Sequence, residues 1–202
     1  RNDAPQQASR PFDKGRDGFV IAEGGTMFVL ESAARARGRQ ARAYAELAGC
    51  GISSDAFHMV IPCSDPQFAA AAIRQALTTG GVNTSDVDYV NAHGTSTPTG
   101  DVAESRVLHE VLGERARSVP VSSTKSMTGH LLTAASALEA LACLAALERQ
   151  AVPPTINLDD PDPECDLCHV PHQARPSRVR VAISNAFGFG GSNSCAVFRA
   201  ID

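Results

Sequence analysis

In some segments of this chain apolar and polar residues repeat about every two residues, as in strands, and in others about every 3.6 residues, as in helices. The strand-like and helix-like segments alternate along the chain. Gly129–Gln150 is the longest helical run and is apolar nearly all round, which predicts a helix buried in the middle of a domain. Ala151–Pro176 is rich in proline and is predicted to be mostly loop. Strands that alternate with helices indicate an α/β fold. The pattern predicts strands at Gly18–Glu31, Ala41–Ala48, Val87–Ala92, Val119–Ser122, Arg178–Ser184 and Ser194–Arg199, helices at Asp65–Thr79 and Gly100–Leu112, and a short helix or turn at Ser32–Gln40.

The composition narrows the class of protein. The chain has 202 residues, of which 43% are hydrophobic, enough for one sizeable domain or two small ones. Its net charge is -4 and it has no dense run of Lys or Arg, which argues against nucleic acid as a partner. No apolar stretch is long enough for a membrane span, and the first residues lack the hydrophobic region of a signal peptide. We therefore expect a cytoplasmic protein without a membrane partner, in which the six cysteines are reduced thiols.

Three segments could carry chemistry, and the first is Asn91–Asp101. A predicted strand ends just before His93, and a loop of hydroxyls, glycines and a proline follows. Loops at strand ends are where α/β proteins place ligand sites. Taken alone, the segment fits equally well a hydroxyl-rich turn before a helix, where Asp101 and Glu104 resemble a capping box and Gly113 is the stop.

The second segment, Ser122–His130, leads into the long apolar helix. A histidine in the first turn of a helix lies at the positive end of the helix dipole, which disfavours the imidazolium. His130 is therefore expected to be a neutral N–H donor at pH 7, suited to stabilising a developing enolate or oxyanion. Taken alone, a satisfied core histidine is the simpler interpretation.

The third segment, Asn185–Asn193, is rich in glycine, which allows unusual backbone angles and a close approach of amides to a ligand. It is not a dinucleotide fingerprint, because the spacing differs and the segment precedes a strand rather than a helix. Taken alone, it is explained by a tight hairpin turn.

A fourth feature, Cys165-Asp166-Leu167-Cys168-His169 with His172 beyond it, matches the spacing of covalent haem attachment. Attachment of this kind requires export, and for zinc the segment is one half-site without a second Cys or His pair. We therefore interpret the match as a coincidence in a proline-rich loop and predict no metal site. A metal- or haem-binding module is the alternative from another functional class.

Together, the three segments resemble the β-ketoacyl-acyl-carrier-protein synthases of elongating type, the condensing enzymes of fatty-acid and polyketide synthesis in the thiolase-like superfamily. Ser9–Asp13 and Arg16–Val20 resemble a run found just after the middle of those enzymes, and the segments then follow in the family's order. The resemblance covers essentially the whole chain. It implies an α/β, thiolase-like fold that is the C-terminal half of a duplicated α-β-α-β-α layered sandwich. Residues 1–48 would end the N-terminal half, with its last strand, and residues 49–202 would form the C-terminal half.

The resemblance implies a reaction and the residues that serve it. In that family a cysteine of the N-terminal half takes an acyl group from a carrier protein, malonyl-carrier protein loses carbon dioxide, and the enolate attacks the acyl-cysteine thioester. His93 and His130 would donate hydrogen bonds to the malonyl thioester oxygen. Lys125 would hold the local polar network and support His130. Thr95 and Thr97 would contact the phosphopantetheine arm.

The glycine-rich turn would complete the substrate-binding set. Phe187 would gate the acyl pocket and offer its backbone N–H to the oxyanion, with Gly188 and Phe189 beside it. Because the phosphopantetheine arrives on the carrier protein, no cofactor of the chain's own is expected.

Two carboxylates are expected to support the site. Glu139 lies in the apolar helix, where an unpaired charge is costly. Helical spacing places it roughly opposite His130, so we expect no direct pair within the helix. Asp101 is a second supporting candidate, although a capping role suits it and Glu104 better. By analogy with the family, the region also leaves room for a monovalent cation.

The chain departs from the family because none of its cysteines stands in the context of the nucleophile. We therefore expect a fragment, or one piece of a split polypeptide, that is inactive without its N-terminal half. Acyl and malonyl carrier protein, the missing half and, in the intact enzyme, a second copy in a homodimer are the expected partners. Fatty-acid elongation is the first choice of pathway and polyketide synthesis the next. The alternative is a non-catalytic partner subunit like a chain-length factor, against which the two retained histidines argue.

Overall fold

The computed structural model describes residues 1–201. Short 3-10 helices lie at Pro5–Gln7, Thr84–Asp86, Gly113–Arg117 and Leu132–Ala134. The α-helices are α1 (Ala33–Gly38), α2 (Gln67–Thr79), α3 (Pro98–Leu112), α4 (Lys125–Thr128) and α5 (Ala135–Arg149). The strands are β1 (Glu46–Ser54), β2 (Tyr89–Asn91), β3 (Pro120–Ser122), β4 (Ala151–Val152), β5 (Cys168–His169), β6 (Arg175–Pro176), β7 (Val181–Gly188) and β8 (Ser192–Arg199).

A mixed sheet forms the middle layer, in the strand order β1-β8-β7-β2-β3-β5. β8 pairs antiparallel with β1 and β7, whereas β2 is parallel to both β7 and β3. Successive residues of a strand face opposite sides of a sheet, and the two sides have separate cores. Val90 and Ile183 pack with α2 and α3, whereas Tyr89 and Ala182 pack with α5. The layered α/β architecture expected from the alternating pattern is therefore confirmed.

Strand β1 starts five residues later than predicted and continues through Gly49 and Gly51. A Cβ at Gly49 would overlap the carbonyl oxygen of Ala76, and a Cβ at Gly51 that of Ala72. The missing side chains let α2 lie directly on the strand. The prediction of a strand at Ala41–Ala48 was wrong because these glycines indicate close packing in the tertiary structure and not the end of the strand.

The segment Gly18–Glu31 was predicted to be a strand, but in the described structure it joins no sheet. It has an isolated parallel bridge from Ile21 to His130, and the Ala22 N–H donates to the His130 carbonyl. Several of its apolar side chains are exposed, including Met27 and Val29. Although its composition is typical of a strand, the segment has no neighbouring strand to pair with among residues 1–201.

Helix α3 begins at Pro98, and its N-cap is Thr97, whose hydroxyl accepts the Gly100 N–H. The capping box predicted for Asp101 and Glu104 was therefore wrong. Both carboxylates are buried: Asp101 accepts the N–H groups of Ser96 and of the N-cap residue Thr97 as well as that of Phe12, and Glu104 accepts those of His93 and Gly94. The predicted stop is present, because Gly113 follows the helix with a positive φ of 57°.

The long helix predicted at Gly129–Gln150 is interrupted. Gly129 has φ +69°, and a Cβ there would come 2.8 Å from that of Ala22, so the chain turns before α5. His130 consequently lies in a connection and not in the first turn of a helix. Helix α5 is also buried on one side only, because Leu141 is 45% exposed. Among residues 1–201, no helix combines the length and apolarity needed to cross a membrane.

The predicted final hairpin is present and longer than expected. β7 and β8 pair over eight residues each, from Val181 opposite Arg199 to Gly188 opposite Ser192. Phe189–Gly191 forms the turn, in which Gly190 and Gly191 have positive φ. The glycine-rich segment therefore ends the hairpin at the edge where the histidine loops lie.

Candidate active site

The three sequence motifs converge at one edge of the sheet. His93 follows β2, His130 lies between α4 and α5, and Phe187 is near the end of β7. The ring centroids of His93 and His130 are 5.5 Å apart in an edge-on arrangement, and those of His93 and Phe187 are 5.8 Å apart. Residues that are far apart in the sequence therefore form one cluster of rings.

Lys125 is buried beneath this cluster, with a side chain 2% exposed. Its ammonium donates to the backbone carbonyl of His93 at 2.6 Å and approaches His93 Nδ1 at 3.4 Å. It also forms an ion pair with Glu139, whose side chain is equally buried. The supporting carboxylate expected in α5 thus pairs with the lysine, and the direct bonds of Lys125 go to His93 rather than to His130.

Both imidazoles are held neutral at pH 7. Burial, followed by the charge of Lys125 and by His130, lowers the pKa of His93 well below its ordinary 6.5. Burial and the Lys125 charge lower the pKa of His130 to about 4. The expectation of a neutral His130 agrees with this direction, but the helix dipole is not the cause, since no helix begins at this residue.

The hydrogen bonds also indicate which ring nitrogens carry the protons. His130 Nδ1 accepts the backbone N–H of Leu132 at 3.3 Å, so its proton lies on Nε2. An ammonium can only donate, so the 3.4 Å approach of Lys125 leaves His93 Nδ1 as the acceptor. Each ring therefore keeps an Nε2–H available as a donor to a ligand.

Glu104 belongs to the site, although its position in the sequence favours a helix cap. Its carboxylate accepts the backbone N–H groups of His93 at 2.9 Å and Gly94 at 2.7 Å, and the amide of Asn185 at 3.2 Å. It thereby joins the histidine loop to the strand that carries Phe187. Burial raises its pKa to about 7, against the effect of these hydrogen bonds. Its spacing of four residues from the core residue Leu108 is the signal that could have indicated a buried position.

Asp101 supports the hydroxyl-rich loop from the inside. Its carboxylate accepts the N–H groups of Phe12, Ser96 and Thr97 at 2.8, 3.1 and 3.3 Å. Burial raises the pKa of Asp101 to about 6. The loop presents the Thr95 and Thr97 hydroxyls, which lie 3.0 Å apart. The two threonines are thus placed together, two and four residues beyond His93.

The glycine-rich turn contributes unequally to the site. Phe187 packs against the His93 ring, whereas Phe189 is 65% exposed and Gly188 ends β7. A second loop holds the turn, because Gly191 accepts the Asp55 N–H at 2.9 Å and Gly190 donates to Met59 at 2.8 Å. The structure therefore brings Phe187, and not Phe189, into the cluster.

Buried oxygens beside α5 fit the monovalent cation that the family analogy allows. Asn91 Oδ1 and Glu139 Oε2 have no hydrogen-bond partner within the described residues. Both residues lie on the side of Tyr89, whose hydroxyl accepts the Asn91 amide at 2.9 Å and whose pKa is raised in part by the charge of Glu139. Hard oxygen donors of this kind suit a small cation of low charge.

The Cys165–His169 segment has the character of a packed structural element. Cys165 is 1% exposed in the core, Cys168 lies in β5 near Arg175, and His169 bonds the carbonyl of Cys165 at 2.7 Å. Across the part of the chain that the structure describes, no three His, Cys, Asp or Glu side chains form a metal cluster. Cys165 lies in the predicted loop but its thiol is buried in the core, whereas Cys168 lies in the two-residue strand β5 and is half-buried.

Comparison with known proteins gives consistent matches. The sequence profile of the beta-ketoacyl synthase C-terminal domain matches residues 44–159. The chain is 52% identical over its whole length to a 3-oxoacyl-[acyl-carrier-protein] synthase 2 of Vibrio harveyi, of which it covers 49%. The chain therefore spans about half the length of the curated relatives it matches.

Solved structures agree with the sequence match. One of them is a chain of AntDE:AntF, a type II polyketide synthase acyl-carrier protein in complex with its ketosynthase bound to the hexaketide. It superposes with a TM-score of 0.95 at 44% identity, and the match covers 98% of this chain and 48% of that chain. The ishigamide ketosynthase/chain length factor superposes with a TM-score of 0.92 at 39% identity, over 96% of this chain and 47% of the other. The thiolase-like fold is that of the C-terminal half of these proteins.

Proposed function

Because this chain belongs to the β-ketoacyl synthase family, we propose that it is the enolate-stabilising half of an elongating β-ketoacyl-acyl-carrier-protein synthase. One observation carries the proposal. His93 and His130 meet edge-on, 5.5 Å apart, with their Nδ1 atoms engaged as acceptors and their Nε2–H groups left as donors. Two neutral donors on adjacent rings suit a single oxygen on which negative charge develops.

The chemistry follows from these donors. In malonyl-carrier protein, the bond between the carboxylate and the α-carbon breaks and carbon dioxide leaves. The electron pair of the broken bond stays with the α-carbon and forms a thioester enolate. The enolate oxygen accepts the Nε2–H groups of His93 and His130. The enolate carbon then attacks an acyl-cysteine thioester, forms the new carbon–carbon bond and expels the cysteine thiolate. Because the donors are neutral, the enolate is stabilised by hydrogen bonds and keeps its nucleophilic carbon.

Lys125 acts on this pair through position and charge. It holds the His93 carbonyl and keeps a positive charge beneath the rings, which disfavours protonation of both imidazoles. Glu139 balances that charge in the buried site. Lys125 is therefore proposed as the group that maintains both histidines as neutral donors.

The loops around the histidines supply the substrate contacts. We assign the phosphopantetheine arm to the paired hydroxyls of Thr95 and Thr97, at the entrance to the His93 loop. Phe187 stands against His93, where it can open or close the space for the acyl chain, and its N–H is assigned to the oxyanion. The exposed Phe189 and Gly188 shape the turn that carries Phe187.

The partners follow from the half-length match. The acyl-cysteine is assigned to an N-terminal half of the kind that the Vibrio harveyi relative has and this chain does not span. Acyl and malonyl carrier proteins are the substrates, and the assembled enzyme is proposed to be a homodimer. Since the relative of 52% identity is named a 3-oxoacyl-acyl-carrier-protein synthase and the polyketide ketosynthase is 44% identical, we place fatty-acid elongation before polyketide synthesis.

A chain-length-factor-like subunit is the second candidate, since ketosynthase/chain length factor pairs are among the similar structures. Such a subunit has no need of two neutral imidazole donors above a buried lysine. The presence of His93, His130 and Lys125 in one cluster therefore favours the catalytic subunit. The residue at the nucleophile position of the missing half would decide between them.

The proposal is tested in a chimera that joins the N-terminal half of the Vibrio harveyi relative to this entire chain, called the reconstituted enzyme below. His93→Ala and His130→Ala should each slow malonyl decarboxylation on the order of a hundredfold, because each removes one donor to the enolate. Acyl transfer to the cysteine should change by less than about tenfold, since no enolate forms in that half-reaction. Release of labelled carbon dioxide and the mass of the acyl-enzyme measure the two steps separately.

His109→Ala is the matched control, because His109 lies on α3 and bonds the carbonyl of Asp166 outside the cluster. It should leave both half-reactions unchanged. Equal losses of decarboxylation and acyl transfer in the two site variants would contradict the proposed division of labour.

A further inference from the structure

A buried arginine outside the ring cluster binds the loop that carries the two threonines. Arg16 has a side chain only 4% exposed. Its Nε donates to the Thr97 carbonyl at 3.0 Å, and its Nη2 donates to the Pro98 carbonyl at 2.8 Å. Its Nη1 donates to the Asp13 carbonyl at 2.8 Å and to the Asp162 carboxylate at 2.7 Å. The guanidinium thus bridges the loop and two other segments of the protein.

The same part of the chain also binds the preceding residue of the loop. The Gly18 N–H donates to the Ser96 carbonyl and the Arg10 N–H to the Ser96 hydroxyl, each at 2.9 Å. Three successive carbonyls of the loop, those of Ser96, Thr97 and Pro98, are therefore bound by residues Arg16 and Gly18. Residues 94–98 are called the arm loop from here on.

The arm loop needs such external bonds because its backbone is strained. Ser96 is not a glycine but has φ +69°, and Gly94 has φ +30°. For a residue with a side chain such as Ser96, a positive φ is unfavourable and persists only where the surroundings impose it. Thr95 and Thr97 flank Ser96, so its backbone angle sets how their hydroxyls are placed.

His93 is anchored by other groups. Its N–H is bound by Glu104, and its carbonyl by Lys125. Glu104 also binds the Gly94 N–H at the start of the arm loop, but residues 96–98, which set the threonine hydroxyls, are held by Arg16, Gly18 and Asp101 and not by the groups that hold His93. A change at Arg16 should move the threonines without moving the imidazole.

We propose that Arg16 is a positioning residue for the carrier arm: by fixing the arm loop it sets the binding of carrier-borne thioesters, whereas the decarboxylation itself depends on the separately anchored histidines. The inference rests on the proposed function and adds to it a determinant of substrate binding that touches neither substrate nor reacting atoms. Lysine cannot replace the arginine fully, because one ammonium cannot reach both carbonyls in the geometry of the planar guanidinium.

The test compares two substrates of the reconstituted enzyme. One is malonyl-carrier protein, and the other is the malonyl thioester of N-acetylcysteamine, which lacks most of the arm. Arg16→Gln should raise the KM for malonyl-carrier protein about tenfold while kcat changes by less than about twofold. The kcat/KM for the truncated thioester should stay within about twofold, because that substrate has little arm to misplace. Arg16→Lys should show the same split with a smaller rise in KM.

Two comparisons separate positioning from general damage. Arg106→Gln removes an arginine that pairs with Glu164 at the surface of α3, and it should behave like the wild type. Thr95→Val should raise the same KM, and in that background Arg16→Gln should add less than about twofold, since both changes act on one contact. The role of Arg16 would be overturned if the effects of Arg16→Gln and Thr95→Val on this KM were fully additive. It would also be overturned if Arg16→Gln lowered kcat/KM equally for both substrates.

Folding outcomes also decide the question. If Arg16→Gln does not fold, Arg16→Lys carries the comparison, and a folded Arg16→Lys without the split overturns the proposal. Failure of both variants to fold overturns it as well, because Arg16 would then serve the fold alone. A wild-type reconstituted enzyme that releases no carbon dioxide from either substrate would instead refute the proposed function.

Discussion

The charge on Lys125 acts on two histidines although it bonds only one of them. Its ammonium touches His93, and its field also lowers the pKa of His130. Burial acts in the same direction on both rings. Neutral imidazoles therefore result from two effects that reinforce each other, and neither requires the end of a helix.

Removing the charge should raise both histidine pKa values. Lys125→Met in the Glu139→Gln background removes the ion pair without leaving a buried charge alone. With no positive charge nearby, protonation becomes easier, so the pKa of His130 should move from about 4 towards its ordinary 6.5, and that of His93 should rise as well. Both should stay below 6.5, because burial remains. Chemical-shift titration of the imidazoles in the isolated chain measures this.

Glu139→Gln alone is the control, since it keeps the lysine charge and should leave both histidine pKa values low. A His130 that titrates near 4 with or without Lys125 would show that burial alone sets its pKa.

At this scale the order of the motifs was more informative than each motif alone. The family resemblance implied that His93 and His130 serve one substrate oxygen, and their rings lie 5.5 Å apart. Glu104 was missed because its partners, the amides of residues 93 and 94 and of Asn185, come from other elements. The pairing of Lys125 with Glu139 was likewise invisible, because it crosses the break before α5.

Helix α2 and strand β1 depend on each other through two glycines. Gly51→Ala should destabilise the chain by about 2 kcal/mol or more, because the new Cβ overlaps the carbonyl oxygen of Ala72 and backbone cannot give way cheaply. Urea unfolding followed by circular dichroism measures the change.

Gly38→Ala is the matched control, since a Cβ at the end of α1 meets no atom within 4 Å. Alanine there should be neutral or slightly stabilising, because it also restricts the unfolded chain. Similar losses for the two substitutions would show that the contact between Gly51 and α2 is not the cause.

Elements whose bounds depend on local sequence signals were predicted well. Elements whose bounds depend on tertiary contacts with other segments were not. The final hairpin and α2 lie close to their expected positions, since alternation, periodicity and the glycine stop are local signals. The break at Gly129 was missed because its positive φ is needed only where Ala22 crosses the chain. The same reasoning explains Gly18–Glu31, which within residues 1–201 joins no sheet and has only the isolated bridge from Ile21 to His130.

At the scale of the molecule, apolar surface is concentrated in the first part of the chain. Met27 is 93% exposed and Val29 is 90% exposed, in a segment that belongs to no helix or strand. Contiguous apolar surface of this kind marks an interaction site.

The isolated chain should form no acyl-enzyme. Burial raises the pKa of the Cys143 and Cys195 thiols and that of Cys165 to about 11, so none of these three is a reactive thiolate at neutral pH. Incubation with acyl-carrier protein followed by intact-mass analysis should show the unmodified chain. The reconstituted enzyme should gain one acyl group, whereas a stoichiometric acyl-cysteine on the chain alone would contradict the half-site assignment.

The outer edge of β1 limits how the molecule can be extended. Two of its outward amides are already bound by α2, since Cys50 N–H donates to the Thr79 hydroxyl at 3.2 Å and Ile52 N–H to the Gln75 side chain at 2.9 Å. A strand added along this edge would have to displace these two contacts of α2. The packing of α2 therefore protects the edge strand at Cys50 and Ile52 from pairing with a further strand.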